Sequence, residues 1–121
     1  MSSNYYLHCI ILKKCPFSEA AYSLIKSNDH IKTEYTFINY TDKEKYKTEN
    51  INTFPQIYLK KINSNGSQLI GGYNEFKNLF NFFYNNYNNK LLEEFKKNNN
   101  IKWSNKTLLR LIELINTKKT N

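Results

Sequence analysis

Residues 5–27 read Tyr5-Tyr-Leu-His-Cys-Ile-Ile-Leu12, then Lys13-Lys14-Cys15, then Pro16-Phe-Ser-Glu-Ala-Ala-Tyr-Ser-Leu-Ile-Lys-Ser27. The first part is apolar and β-branched without alternation, the pattern of a strand buried on both faces. Pro16 suits the first position of a helix, and Phe17, Ala20, Ala21, Leu24 and Ile25 follow at helical spacing. A central strand is therefore expected to feed a helix from about Pro16 to Ser27, with Cys15 at the junction.

Working outward, Glu34-Tyr-Thr-Phe-Ile-Asn39 reads as a second strand, and Thr41 is placed to cap a short charged helix through Lys43, Glu44 and Lys47. Gln56-Ile-Tyr-Leu59 and Ser67-Gln-Leu-Ile70 flank the turn-forming Asn63-Ser-Asn-Gly66, which predicts a hairpin. Gly71-Gly72 ends the second of these strands. Asn74 then reads as the cap of a helix whose core face carries Phe76, Leu79, Phe80, Phe83 and Tyr87. Beyond residue 90, Leu91-Leu92-Phe95 and Leu108-Leu109-Ile112-Ile115 form two more helical patterns, separated by Asn98-Asn-Asn100 and Trp103.

The 121 residues suit one compact domain, and 40% hydrophobic with 23% charged residues is a folding composition. This holds despite a mean hydropathy of -0.72. No apolar run approaches the roughly 20 residues of a spanning helix, and Met1-Ser2-Ser3-Asn4 lacks the basic opening of a secretory signal. Two cysteines, Cys9 and Cys15, are too few and too close along the chain to staple a small secreted fold. A reducing compartment such as the cytoplasm is expected. The abundance of Asn, Lys, Ile and Tyr is the bias of an AT-rich genome, as in some large DNA viruses and protists, which adds a host cytoplasm or virion to that expectation. The formal charge is +8, yet Arg110 is the only Arg, so the charge does not have the make-up of a base-reading surface. Nucleic acid is accordingly not the expected partner. From residue 90 onward there are eight basic residues against three acidic ones, so the C-terminal segment is the more basic part.

At Cys15 the sulfur is expected to face the unpaired amides and positive dipole end of a helix, with Lys13 and Lys14 alongside. Such surroundings bring a thiol from about 8.5 down to between roughly 3.5 and 7.5, giving a nucleophilic thiolate at neutral pH. His8 reads as a structural strand residue and His30 as a surface loop residue, and no Cys/His pair has metal-ligand spacing. No phosphate-binding loop, dinucleotide fingerprint or catalytic carboxylate pair is evident.

Three motifs occur in order: Cys15-Pro16-Phe17-Ser18 after a buried strand, Thr53-Phe54-Pro55 before another, and Gly71-Gly72-Tyr73-Asn74-Glu75 opening a helix. In order and approximate spacing they resemble glutaredoxins over Tyr5 to Tyr87. The resemblance implies an α/β, thioredoxin-like four-stranded mixed sheet flanked by helices. It divides the chain into a glutaredoxin-like domain, 1–89, and a basic helical extension, 90–121, packed on or appended to it. It also implies a glutathione-dependent thiol–disulfide oxidoreductase with Cys15 as nucleophile, acting on glutathionylated proteins with glutathione as cosubstrate.

Residue by residue, the resemblance implies a cis Pro55 beside the thiol and backbone pairing of Phe54 with the cysteine of glutathione. Gly71 and Gly72 would leave amides free for the γ-glutamyl carboxylate. Asn74 and Glu75 would hold the rest of that group, with Glu75 in place of the usual Asp, and Phe17 would wall the sulfur. Ser18 stands where dithiol members have a second Cys, so the chain looks monothiol. Cys9 reads as a buried core thiol out of disulfide reach. The lysine that the family places three residues before the active Cys is Leu12 here, so Lys13 or Lys14 must take its role toward glutathione's glycine carboxylate. The hairpin from Lys60 to Ser67 is longer than the family's tight connection. An alternative reading is a carrier of a [2Fe–2S] cluster shared by two protomers, each giving Cys15 and one glutathione. Pro16, however, occupies the Gly position of the dedicated carriers' Cys-Gly-Phe-Ser signature.

Overall fold

The structure is a computed structural model describing residues 4–99 and 103–116. Met1 to Ser3, Asn100 of the expected linker, and Lys102, Lys118 and Lys119 of the basic segment lie outside the described residues. Strand β1 (Tyr5–Leu12) leads to α1 (Pro16–Lys26) and β2 (Thr33–Ile38). A 3₁₀ turn (Tyr40–Asp42) runs into the single-turn α2 (Lys43–Tyr46), followed by β3 (Gln56–Lys61) and β4 (Ser67–Gly71). Three helices complete the chain: α3 (Tyr73–Phe83), α4 (Asn89–Asn98) and α5 (Asn105–Asn116).

The sheet order is β2-β1-β3-β4. β1 runs parallel to β2 and antiparallel to β3, and β3 is antiparallel to β4. This is a thioredoxin-like fold. β1 lies inside the sheet, which is why its sequence is apolar on both faces. Leu7, Cys9 and Ile11 face the main core with Ile25 of α1 and Phe76, Leu79, Phe80 and Phe83 of α3. Ile10 and Leu12 point the other way and meet Ile38 and Phe54, with Tyr46 and Tyr58 packed alongside. On that second face His8 and Thr36 share a 2.8 Å hydrogen bond, and burial, with Lys60 nearby, holds the imidazole below its ordinary pKa. The buried Gln56 donates to the Tyr46 carbonyl at 2.8 Å and accepts from the Tyr58 hydroxyl at 3.0 Å. These bonds tie the end of α2 to β3.

The C-terminal helices belong to the main core. Leu92 and Phe95 of α4, and Leu108, Leu111, Ile112, Leu114 and Ile115 of α5, are buried in the same cluster as Leu7 and Phe76. Five long-range contacts fasten this part of the chain. Arg110 lies over the Tyr5 ring at 4.4 Å. The Asn116 amide donates to the Phe83 carbonyl at 2.9 Å and accepts from the Asn85 N–H at 2.6 Å. His30 Nε2 lies 2.6 Å from the Ile115 carbonyl. Trp103 donates its indole N–H to the Ile70 carbonyl at 3.3 Å. That carbonyl belongs to an extra residue of β4: Ile57 faces Gly71 and Tyr58 faces Leu69, so Ile70 forms a bulge. Among the described residues no helix is long and apolar enough to cross a membrane.

Several sequence expectations are corrected. His30 does lie in a turn, but it is half-buried and its ring is tied to α5. Thr41 caps nothing: Asn39 and Asp42 hold the cap positions of the 3₁₀ turn and α2, and neither side chain makes a cap bond. Gly72, not Asn74, is the N-cap of α3. Tyr87 lies beyond that helix, which stops at Phe83 because Tyr84 turns extended and Asn85 adopts φ 55°, a left-handed conformation that Asn tolerates.

Candidate active site

Cys15 is the N-cap of α1, with Pro16 at the first helical position. The turn before it is closed by Cys15 N–H to the Leu12 carbonyl at 3.2 Å and Lys13 N–H to the Ile38 carbonyl at 2.9 Å. Lys14 bends the turn at φ 67°. Ser18, fully buried at 0% exposure, accepts the Leu12 N–H at 3.1 Å and ties the end of β1 to the first turn of α1. The hydroxyl at this position is thus a structural acceptor. Ser18→Ala is expected to leave that amide unpaired and cost about 1–3 kcal/mol. The check is the thermal midpoint, and a variant melting with the wild type would contradict the role.

Cys15 is half-exposed, and its side chain makes no capping hydrogen bond to α1. As a thiol it is a donor, and its partner is the carbonyl of Phe54, 3.9 Å away. Phe54 is buried and joined to Pro55 by a cis peptide bond. Gly72 approaches the same loop so closely that a β-carbon there would lie 3.4 Å from the Pro55 carbonyl oxygen. Gly71 has φ 141°, and a β-carbon on it would come within 2.8 Å of the Glu75 side chain, so only glycine fits. Phe17, 58% exposed, pairs with Tyr73 at 6.3 Å between ring centroids. Cys15, Phe17, Phe54, Pro55 and Gly72 are thereby gathered at one end of the sheet.

Glu75 lies in the first turn of α3. Its carboxylate accepts the Gly72 N–H at 2.7 Å, so that amide is already occupied. Glu is one methylene longer than Asp and reaches back as half of a capping box; Gly72, lacking a side chain, cannot supply the other half. Asn74 is exposed in the first turn of α3. Lys13 and Lys14 are both exposed and line a cleft of about 640 Å³ with Leu12, Cys15, Asn39, Tyr40 and Thr41. Tyr40 and Tyr73 were not singled out by the sequence reading. Tyr73 carried a local signal, an aromatic directly after Gly71-Gly72, whereas Tyr40 had none beyond following a strand.

Cys9 is fully buried on the opposite face of β1 from the cluster against which Cys15 packs, and burial pushes its thiol up to about 12. One chain therefore offers one accessible thiol, and a four-thiolate cluster would draw its other donors from outside the chain. The Cys9 shift also has a sign. Above pH about 9 the unfolded chain releases this proton while the native state retains it, so stability falls as pH rises, by on the order of 1 kcal/mol per unit. Urea midpoints at pH 8 and 10 should diverge in the wild type and converge in Cys9→Ala; equal slopes would refute the assignment. Tyr35, also pushed up to about 12 chiefly by burial, adds to the fall only above its ordinary value near 10. No protein-family model matches the chain, and no curated protein matches its sequence.

Proposed function

We propose that this chain is a glutaredoxin-like, glutathione-dependent thiol–disulfide oxidoreductase working through Cys15 alone. The observation that carries the reading is the Cys15 sulfur at the start of α1, 3.9 Å from the carbonyl of Phe54. A peptide laid along residues 54–55 by backbone pairing would bring its own sulfur to Cys15. Phe17 gives that approach an apolar wall, and Lys13 and Lys14 give it positive charge for a terminal carboxylate.

The chemistry then takes two exchanges. The Cys15 thiolate attacks the glutathionyl sulfur of a mixed disulfide, the original S–S bond breaks, and the target leaves as a thiolate that takes a proton from solvent. A second glutathione, as thiolate, attacks the glutathionyl sulfur on Cys15, releasing oxidised glutathione and regenerating the thiolate. In sum, the mixed disulfide and one free glutathione are converted to the target thiol and oxidised glutathione. Buried Ser18 and the remote Cys9 supply no resolving thiol, so the glutathionylated form has no internal exit. Steady-state reduction of a glutathione mixed disulfide, coupled to glutathione reductase, tests the reading; an inactive wild type overturns it.

A further inference from the structure

The cleft beside Cys15 extends past Lys13 and Lys14 to Asn39, Tyr40 and Thr41, residues that the glutathione reading leaves unused. At about 640 Å³ it has the size of a ligand site and is far larger than one side chain. Tyr40 is 69% exposed, with the Lys43 ammonium 4.0 Å from its ring centre. Lys77 lies 5.6 Å from the ring of Tyr73, which pairs with Phe17 in the first turn of α1. The neighbourhood of Cys15 thus carries two aromatic rings with a lysine over each, the exposed Tyr40 and the half-buried Tyr73, besides Lys13 and Lys14. The carboxylates on the same elements are mostly engaged. Asp42 pairs with Lys45 at 3.5 Å, Glu44 with Lys47 at 2.6 Å, and Glu75 holds the Gly72 amide, leaving Glu19 beside Lys13 and Lys14.

We propose that this cleft seats the target of the exchange, an acidic polypeptide segment flanking the glutathionylated cysteine, with Tyr40 and Lys43 as the residues that recognise it. The proposal rests on the oxidoreductase reading for the identity of the target cysteine. Positive charge at the rim steers an acidic segment and rejects a basic one, and tyrosine supplies contact area at little entropic cost. Cys15 is one of the residues lining the cleft, so a segment lying in it carries its disulfide toward that residue. A nucleic-acid strand is the less fitting occupant, because the rim contains no arginine.

The test uses the full chain and fluorescein-labelled peptides with serine replacing the target cysteine, flanked by Asp and Glu or by Lys. At low ionic strength the acidic peptide should bind about tenfold more tightly than the basic one, and the difference should shrink with salt. Tyr40→Ala and Lys43→Glu should each weaken the acidic peptide roughly five- to tenfold. Lys106→Glu, the same charge change on α5 across the sheet, should weaken it by less than half as much. The proposal fails if both peptides bind alike or if Lys106→Glu matches Lys43→Glu. It also fails if a single-stranded oligonucleotide binds more tightly than the peptide with the same dependence on Tyr40 and Lys43. In parallel, turnover of a small glutathione mixed disulfide should be equal in wild type and Lys106→Glu. A wild type inactive there, with the peptide pattern intact, would remove the enzymatic reading and leave the acidic-segment cleft standing.

Discussion

Cys15→Ser is expected to lower turnover of a glutathione mixed disulfide by on the order of 10³-fold or more, to the uncatalysed rate. A serine hydroxyl stays protonated at neutral pH and forms no disulfide with the glutathionyl sulfur, so no covalent intermediate accumulates. Cys9→Ala should retain activity within about twofold, since its thiol is buried, protonated and on the far side of β1. Mass spectrometry after exposure to oxidised glutathione should find one added glutathionyl group on wild type and Cys9→Ala, and none on Cys15→Ser. Turnover surviving in Cys15→Ser would place the chemistry elsewhere.

The second large effect concerns the C-terminal helices. Leu111 is fully buried in the cluster that also holds Leu7 and Phe76. Leu111→Ala should therefore cost about 2–5 kcal/mol. For a chain of this size that is on the order of 10–20 °C in Tm. Leu109, on the same helix but 43% exposed, supplies the contrast: Leu109→Ala should stay within about 0.5 kcal/mol. Equal melting of the two variants would mean that α5 is an appendage. Unequal melting would mean that the core cannot close without it.

The residues differ in how much of this was legible from their order alone. The unbroken apolar run Tyr5 to Leu12 announced two-sided burial, and Asn63-Ser-Asn-Gly66 announced a turn, because both signals are local. The extra β4 residue, Ile70, left no such mark, since a bulge depends on how two strands align. The ties that make the last helices part of the core were equally silent. His30 meets Ile115, Trp103 meets Ile70 and Asn116 meets Phe83 across dozens of intervening residues, while periodicity and capping rules see only about one helical turn. The site divides the same way. Cys15 at a strand-to-helix junction was readable from Pro16 and the run before it. The capture of the Gly72 amide by Glu75 was not, because one methylene of reach decides it. Tyr40 escaped because exposed aromatics have no pattern to betray them.

The indole of Trp103, resting on the Ile70 carbonyl, makes the chain its own optical probe. It is the only tryptophan, so every photon emitted by an indole comes from the seam where the C-terminal helices meet the strand that delivers Gly71 and Gly72. Undocking of those helices or a shift of that strand changes the ring's contact with water, and with it the colour and yield of the emission. Events at the thiol end of the sheet that move the glycine turn can thus be followed in unlabelled protein, in real time, at a reporter whose position is already known.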